Sequence, residues 1–427
     1  MKIKAPKGTQ DILPDEIYKW HEVEDIAKSI AESFGYREIR TPVFESTELF
    51  ARGVGKDTDI VEKEMYTFPD KAGRSMTLRP ELTAPVIRSL LEHNMIIEKS
   101  LIKLYYIGPI FRYERPQAGR YRQSHQFGVE AIGSDSPLLD AEQIYLAMEF
   151  YKKLGLDKLS VDINSIGCSK EKCRANYRRL LTDYLEKYQR ELCTDCQRRS
   201  RTNPLRVFDC KKEGCAKILR DAPLSADHLC PECKAHYDKV REILEFLNIK
   251  YKHNPRMVRG LDYYTRTVYE VLSESLGAQN SLCGGGRYDN LSKELGGPQV
   301  PAVGFAAGLE RTLIVMEQAG KKLGKPTFPV IILPIGGEES AYKAFEIMEF
   351  LRKSGIIANL DYNMTGFKLL KKADAKGWKY AFIIGEDELK KDEVGIKHLG
   401  KRSQKNVPLE ELKNLLSRTE TDPMASL

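Results

Sequence analysis

No stretch of the 427-residue chain is apolar over the roughly 20 residues that a bilayer-crossing helix needs, which excludes a helical membrane protein. The opening "MKIKAPKGTQDILPDE" has no apolar run behind its lysines, so no secretory leader is expected there. Internal repeats and low-complexity tracts are missing too, and with them the solenoid and disordered classes. Cysteine is almost absent from most of the chain: eight of nine lie between Cys168 and Cys233. This argues against a disulfide scaffold for the whole protein and points to a local feature in a reducing compartment. With no leader and no membrane-spanning run, a cytoplasmic enzyme or binding protein is expected. The net charge of +7 gives a mild preference for anionic partners and is by itself a weak pointer to nucleic acid. At roughly 150 residues per domain, the length suggests about three domains.

The clustered cysteines are the first positive feature. "CTDC" at 193–196 and "CPEC" at 230–233 are Cys-x-x-Cys knuckles, with "CKKEGC" at 210–215 between them. Thiolates at that spacing place two ligands on one tetrahedral ion. Cys193, Cys196, Cys230 and Cys233 therefore form a candidate structural zinc site, with Cys210 and Cys215 as substitutes. The other reading is a set of reduced thiols in a helical insertion.

Periodicity separates three regions. "DEIYKWHEVEDIAKSIAESFGY" has helical spacing and leads into "REIRTPVFE", a short strand broken by Pro42. Strand-like segments recur at "MTLRP", "LIKLYYIG", "HQFGVEAIG", "LSVDINSIG", "TVYEVLSES" and "AQNSLCGG", with few helices among them. That pattern suggests an α+β body, a mostly antiparallel sheet with helices packed on it, over 1–167 and 256–320. Residues 168–255 read as a helical, Cys-rich insertion and 321–327 as a Gly/Lys/Pro linker. Residues 328–427 alternate β and α and read as a small α/β domain.

The chemistry concentrates around "FRYERPQAGRYRQSHQFGVE", where four arginines crowd a loop between two strands. Guanidinium groups match phosphate oxygens and keep their charge when partly buried. A solvated basic surface is the commoner explanation of a charge run. Here Arg112, Gln126 and Glu130 sit inside apolar strand segments, and the even spacing of Gln126 and Glu130 sends both to one face. "LRPELTAPVIR" adds Glu81 and Thr83 at a turn into a helix, and "RGLDYYTRT" adds Arg259, Tyr263 and Tyr264. "CGGGRYDNL" brings three glycines that let a ligand approach the backbone, and "GFAAGLERT" puts Arg311 in the first turns of an apolar helix. Singly, each has a structural explanation: Glu81 a cap, Tyr263 a core aromatic, the glycines a bulge, Arg311 a surface ion pair. Together they describe a cavity for a nucleotide and a small zwitterion.

These motifs resemble a known family. "FRYERPQAGRYRQSHQFGVE" is similar to motif 2 of class II aminoacyl-tRNA synthetases and "GFAAGLER" to motif 3. "RGLDYY" and "GGGRYD" resemble the two histidine-specific signatures of the bacterial-type histidyl-tRNA synthetases, and "KGTQDILP" and the terminal α/β domain extend the likeness over nearly the whole chain. The resemblance implies a class II catalytic fold and a C-terminal anticodon-binding domain. It implies catalytic roles for Arg112 and Arg259 at the ATP α-phosphate, the latter also meeting the histidine carboxylate. Glu81, Thr83 and Gln126 would hold the histidine amino group, and Glu130 and Tyr264, beside Tyr263, would read the imidazole. Arg311 and Arg120 would bind ATP, and Arg115, Gln117 and Arg122 would meet the tRNA acceptor end. ATP with Mg2+, histidine, its tRNA and a second copy of the chain are the implied partners, with motif 1 placed loosely around "YREIRTPVFE". The family lends the cysteine knuckles no support. The rival reading is the synthetase-like regulatory subunit of ATP phosphoribosyltransferase, which typically lacks the terminal domain and has degraded signatures.

Overall fold

The two strands read on either side of the arginine-rich loop are Ile102–Phe111 and Gln123–Ile132, ten residues each and antiparallel, with Ile107 opposite Phe127. They lie in an eight-stranded sheet of the computed structural model, which describes residues 3–56, 58–96, 101–274, 280–321, 328–363, 366 and 368–416. From one edge the order is Arg37–Glu38, Ile102–Phe111, Gln123–Ile132, Ala302–Gly308, Ser281–Arg287, Thr265–Leu272, Ser160–Ser165 and Tyr251–His253. Only the two edge pairings are parallel, so the expected mostly antiparallel sheet is present. "REIRTPVFE" splits at Pro42, whose ring cannot donate to a ladder. Arg37–Glu38 joins this sheet, and Phe44–Ser46 joins a three-stranded one with Ser75–Leu78 and Tyr66–Pro69.

Alternation along the central strands divides apolar core from site. Phe127, Val129 and Ala131 point into the largest apolar cluster, against helix Ile17–Ser33 and helix Pro137–Lys153, while Gln126 and Glu130 face the other way. Phe127 sits on Phe150 with ring centroids 5.1 Å apart, and burying each such side chain stabilises by roughly 1.5–3 kcal/mol. Ser136 caps the second helix by accepting from the Leu138 amide, with Pro137 in the first turn where its missing N–H costs nothing.

The chain divides into two compact units, Met1–Leu323 and Gly324–Leu427. Within the first, segment 168–255 has its own small apolar cluster around Tyr177, Leu181, Leu185 and Leu205. Residues 322–327 of the expected linker lie outside the described residues. The second unit has a five-stranded sheet in the order Ala358–Leu360, Phe328–Pro334, Trp378–Ile384, Glu393–His398, Ser403–Pro408. Its first three strands are parallel, joined through helices such as Glu338–Lys353, as expected for α/β alternation. The last two form an antiparallel hairpin that the sequence reading did not include. Its outer strand "SQKNVP" is mostly exposed and polar, so it carries little apolar periodicity.

Candidate active site

A cavity of about 380 Å³ opens on the face of the large sheet opposite the main apolar layer. Arg112, Arg120, Arg259 and Arg311 line it together with Glu81, Thr83, Gln126, Glu130, Tyr263 and Tyr264. Segments separated by up to some two hundred residues of sequence thus converge as expected. Arg115, Gln117 and Arg122 are not among its lining. They belong to the loop outside, where Gln117 and Arg120 form a β-bridge and Arg122 lies 3.8 Å from the Tyr113 ring centroid.

The acidic end is the more enclosed. Glu130 is 1% exposed and accepts from Thr83 Oγ1 at 2.7 Å, from Tyr106 OH at 3.1 Å and from Tyr288 OH. Burial pushes its carboxyl up to about 8, although the Tyr288, Thr83 and Tyr106 hydroxyls pull the other way. Glu81 accepts from the backbone amides of Thr83 (2.7 Å) and Ala84 (2.9 Å), so it does cap the helix Thr83–Glu92 and still faces the cavity. Gln126 Oε1 is buried with no protein partner, as is Arg259 Nε. Orphaned polar atoms of this kind are what a ligand satisfies.

At the basic end each guanidinium is held by the protein. Arg112 donates to the Pro80 carbonyl at 2.7 Å, and burial pulls it below its ordinary pKa. Burial also works against the Arg259 charge, but the carboxylate of Glu270, to which Arg259 donates, outweighs it and holds the pKa above the ordinary value. Arg120 pairs with Glu114. Arg311, third residue of helix Leu309–Gln318, bonds the Gly119 carbonyl at 3.1 Å and the Ser281 carbonyl at 2.7 Å, so the surface ion pair is not its role.

The three consecutive glycines have a reason in this geometry. A Cβ on Gly284 would lie 2.0 Å from Arg259 Nη2, and one on Gly304 of the next strand 1.9 Å from Glu130 Oε2. The missing side chains make room for the protein's own functional groups. Tyr106, Tyr288, Glu270 and Glu114 were missed by sequence reasoning. Tyr288 stood inside the quoted "GGGRYD", and Glu270 stands on Thr265–Leu272, the strand that the loop carrying Arg259 leads into. Their pairing is a tertiary fact with no local signal. Arg287 of the same motif is completely buried, and its Nε donates to both oxygens of Asp140, at 3.1 and 2.9 Å.

Comparison with known proteins bears on this site directly. The family model for histidyl-tRNA synthetase matches residues 8–312. The chain belongs to that family. A curated histidine–tRNA ligase from Desulforudis audaxviator is similar to it, 50% identical over 420 residues covering 98% of this chain and 99% of the relative. The crystal structure of the apo S. aureus histidyl-tRNA synthetase matches with a TM-score of 0.82 at 38% identity, over 98% of this chain and 100% of that one. A Bacillus halodurans C protein described as an ATP phosphoribosyltransferase regulatory subunit/histidyl-tRNA synthetase shares the fold at 22% identity and a TM-score of 0.64, covering 90% of this chain and 98% of that one. Residues 329–419 match the anticodon binding domain family, in keeping with the third domain expected of a histidyl-tRNA synthetase.

One expectation is corrected. Cys193, Cys196, Cys230 and Cys233 do not form one set. Cys193 and Cys196 gather with Cys210 and Cys215, and Cys230 and Cys233 with Cys168 and Cys173, all nine cysteines of the chain being free thiols. The physical reason is that each knuckle opens a different helix, Thr194–Thr202 and Pro231–Phe246, and tertiary packing brings Cys210 and Cys215 to the first and Cys168 and Cys173 to the second. Among the described residues no helix is long and apolar enough to cross a membrane.

Proposed function

We propose that the chain joins histidine to its tRNA in two steps within this cavity. The observation that carries the reading is a single cavity with a hydroxyl-ringed buried carboxylate at one end and four arginines at the other. Histidine lies with its imidazole toward Glu130 and Tyr264 and its amino group toward Glu81, Thr83 and Gln126. Its carboxylate then faces Arg259, and ATP, taken as its magnesium complex, lays the α-phosphate between Arg112 and Arg259. The carboxylate oxygen attacks the α-phosphorus and pyrophosphate leaves. The terminal ribose hydroxyl of the tRNA next attacks the acyl carbon, and AMP leaves.

Fixed positive charge at the non-bridging oxygens is what such a step needs, and Arg112 and Arg259 supply it without a proton donor. Glu270 keeps Arg259 charged and oriented. Arg311 and Arg120 lie along the nucleotide, and the loop carrying Arg115, Gln117 and Arg122 meets the acceptor end. Selectivity arises at the other end, since an amino acid without ring nitrogens offers Glu130 and Tyr264 no polar partner while still shutting them away from water. The terminal domain reads the anticodon, whose unstacked bases are open to direct contact. Two copies of the chain pair near "YREIRTPVFE", where Val43 and Phe44 are exposed at 39% and 54%.

The test is charging of total tRNA with labelled histidine. Stable histidyl-tRNA is the expected product. Folded chain that forms none, and instead binds and activates an ATP phosphoribosyltransferase, would favour the regulatory reading.

A further inference from the structure

The eight cysteines of the insertion assort by a shared rule. Each cluster combines a Cys-x-x-Cys knuckle with a Cys-x4-Cys turn: Cys230 and Cys233 with Cys168 and Cys173, Cys193 and Cys196 with Cys210 and Cys215. Within each cluster the four Sγ atoms all lie within 4.8 Å of one another. The Cys168–Cys230 and Cys193–Cys210 separations are both 3.9 Å. Four thiolates at about 2.3 Å from a zinc ion stand about 3.8 Å apart, the edge of the tetrahedron. Backbone amides also aim at the sulfurs, Cys230 N to Cys173 Sγ at 3.4 Å and Cys193 N to Cys215 Sγ at 3.3 Å, as suits a site whose sulfurs carry negative charge.

Each cluster is tied to one side of the loop Arg259–Tyr264. Arg174, directly after Cys173, donates from Nη1 to the Tyr264 carbonyl at 2.6 Å. Between Cys196 and Cys210, Arg206 donates to the Gly260 carbonyl at 2.9 Å and Asn203 to Asp262 Oδ1 at 2.5 Å. We propose that the insertion carries two separate tetrathiolate sites, each taking one zinc ion, and that together they hold this loop against the cavity. Two closed S4 shells leave no open position, so the ions are structural. The positioning half of the proposal rests on the reading that the loop binds histidine; the metal half does not.

The experiment is elemental analysis of the full chain produced with zinc under reducing conditions and without a metal-binding tag. Two zinc ions per chain are expected, falling to one in Cys173→Ser/Cys233→Ser and to one in Cys196→Ser/Cys215→Ser. Because a substituted chain can fail to fold, cobalt exchange into the unaltered chain gives a second readout. Two cobalt equivalents with the absorption of tetrahedral thiolate coordination are expected. Zero or one ion per unaltered chain, iron in place of zinc, or octahedral cobalt would overturn the assignment. For the loop, a folded variant lacking one ion should show a histidine KM raised about tenfold with the ATP KM little changed. An unchanged histidine KM in that variant would overturn the positioning role, and the metal count stands or falls whatever amino acid the chain uses.

Discussion

The two ends of the cavity are built on different principles. At the end proposed for histidine, Glu130 is buried, surrounded by hydroxyls of Thr83, Tyr106 and Tyr288, and carried on a central strand. At the end proposed for the nucleotide, Arg112 and Arg311 are occupied by backbone carbonyls, Arg120 and Arg259 by carboxylates, and the outer arginines stand on a loop. The acidic end is preorganised for a small ligand. The basic end holds its charges with partners that a phosphate can outcompete or share. The difference teaches that discrimination and catalysis are separable here: one end should set which amino acid is used, the other how fast it reacts.

The largest effect should come from removing what the histidine end stands on. Asp140→Asn removes the charge of the buried carboxylate on Arg287 and leaves Asp289, 3.3 Å away, as its remaining acidic partner, one residue from Tyr288; it should cost up to about 3–5 kcal/mol in unfolding free energy measured with denaturant. Next, Arg259→His should slow adenylate formation by about 10²–10³-fold while the histidine dissociation constant changes little. Equal losses in both, measured by single-turnover and equilibrium binding, would merge the two ends. Glu130→Gln should do the reverse, weakening histidine use by about 10- to 100-fold with ATP affinity near normal. A pH series sharpens that test. The folded-state pKa of Glu130 is raised to about 8 from 4.5, so its proton is bound more tightly in the folded chain. The stability this contributes is present below pH 4.5 and is lost as pH rises through about 8. Glu130→Gln should flatten that slope in the unfolding free energy. The smallest effect is expected on the loop. Arg122→Ala should reduce tRNA charging severalfold and leave pyrophosphate exchange unaltered, since Arg122 lies outside the cavity lining.

Much of this site was legible in the chain because its residues sit on periodic elements. The alternation that puts Phe127 and Val129 into the core must put Gln126 and Glu130 opposite, and both do line the cavity. Arg311 was placed by an apolar helix start, and the helix begins at Leu309. What stayed hidden depends on which distant element packs where. Nothing local in "CSKEKC" says that Cys168 and Cys173 meet Cys230 and Cys233, so the knuckles were assigned to each other instead. The glycines of 284–286 suggested room for a ligand, and only the packed sheet reveals that Gly284 makes room for Arg259. The strand Ala302–Gly308, between the two halves of the sheet, is rich in glycine and alanine and gave little strand signal.

The most direct measurement is pyrophosphate exchange into ATP, run with each of the twenty amino acids on the unaltered chain and on Glu130→Gln. Exchange that depends on histidine alone, and that falls in the variant through weaker histidine use, is the predicted result. Exchange supported equally by other amino acids, or undiminished in the variant, would contradict the assignment of selectivity to the buried carboxylate.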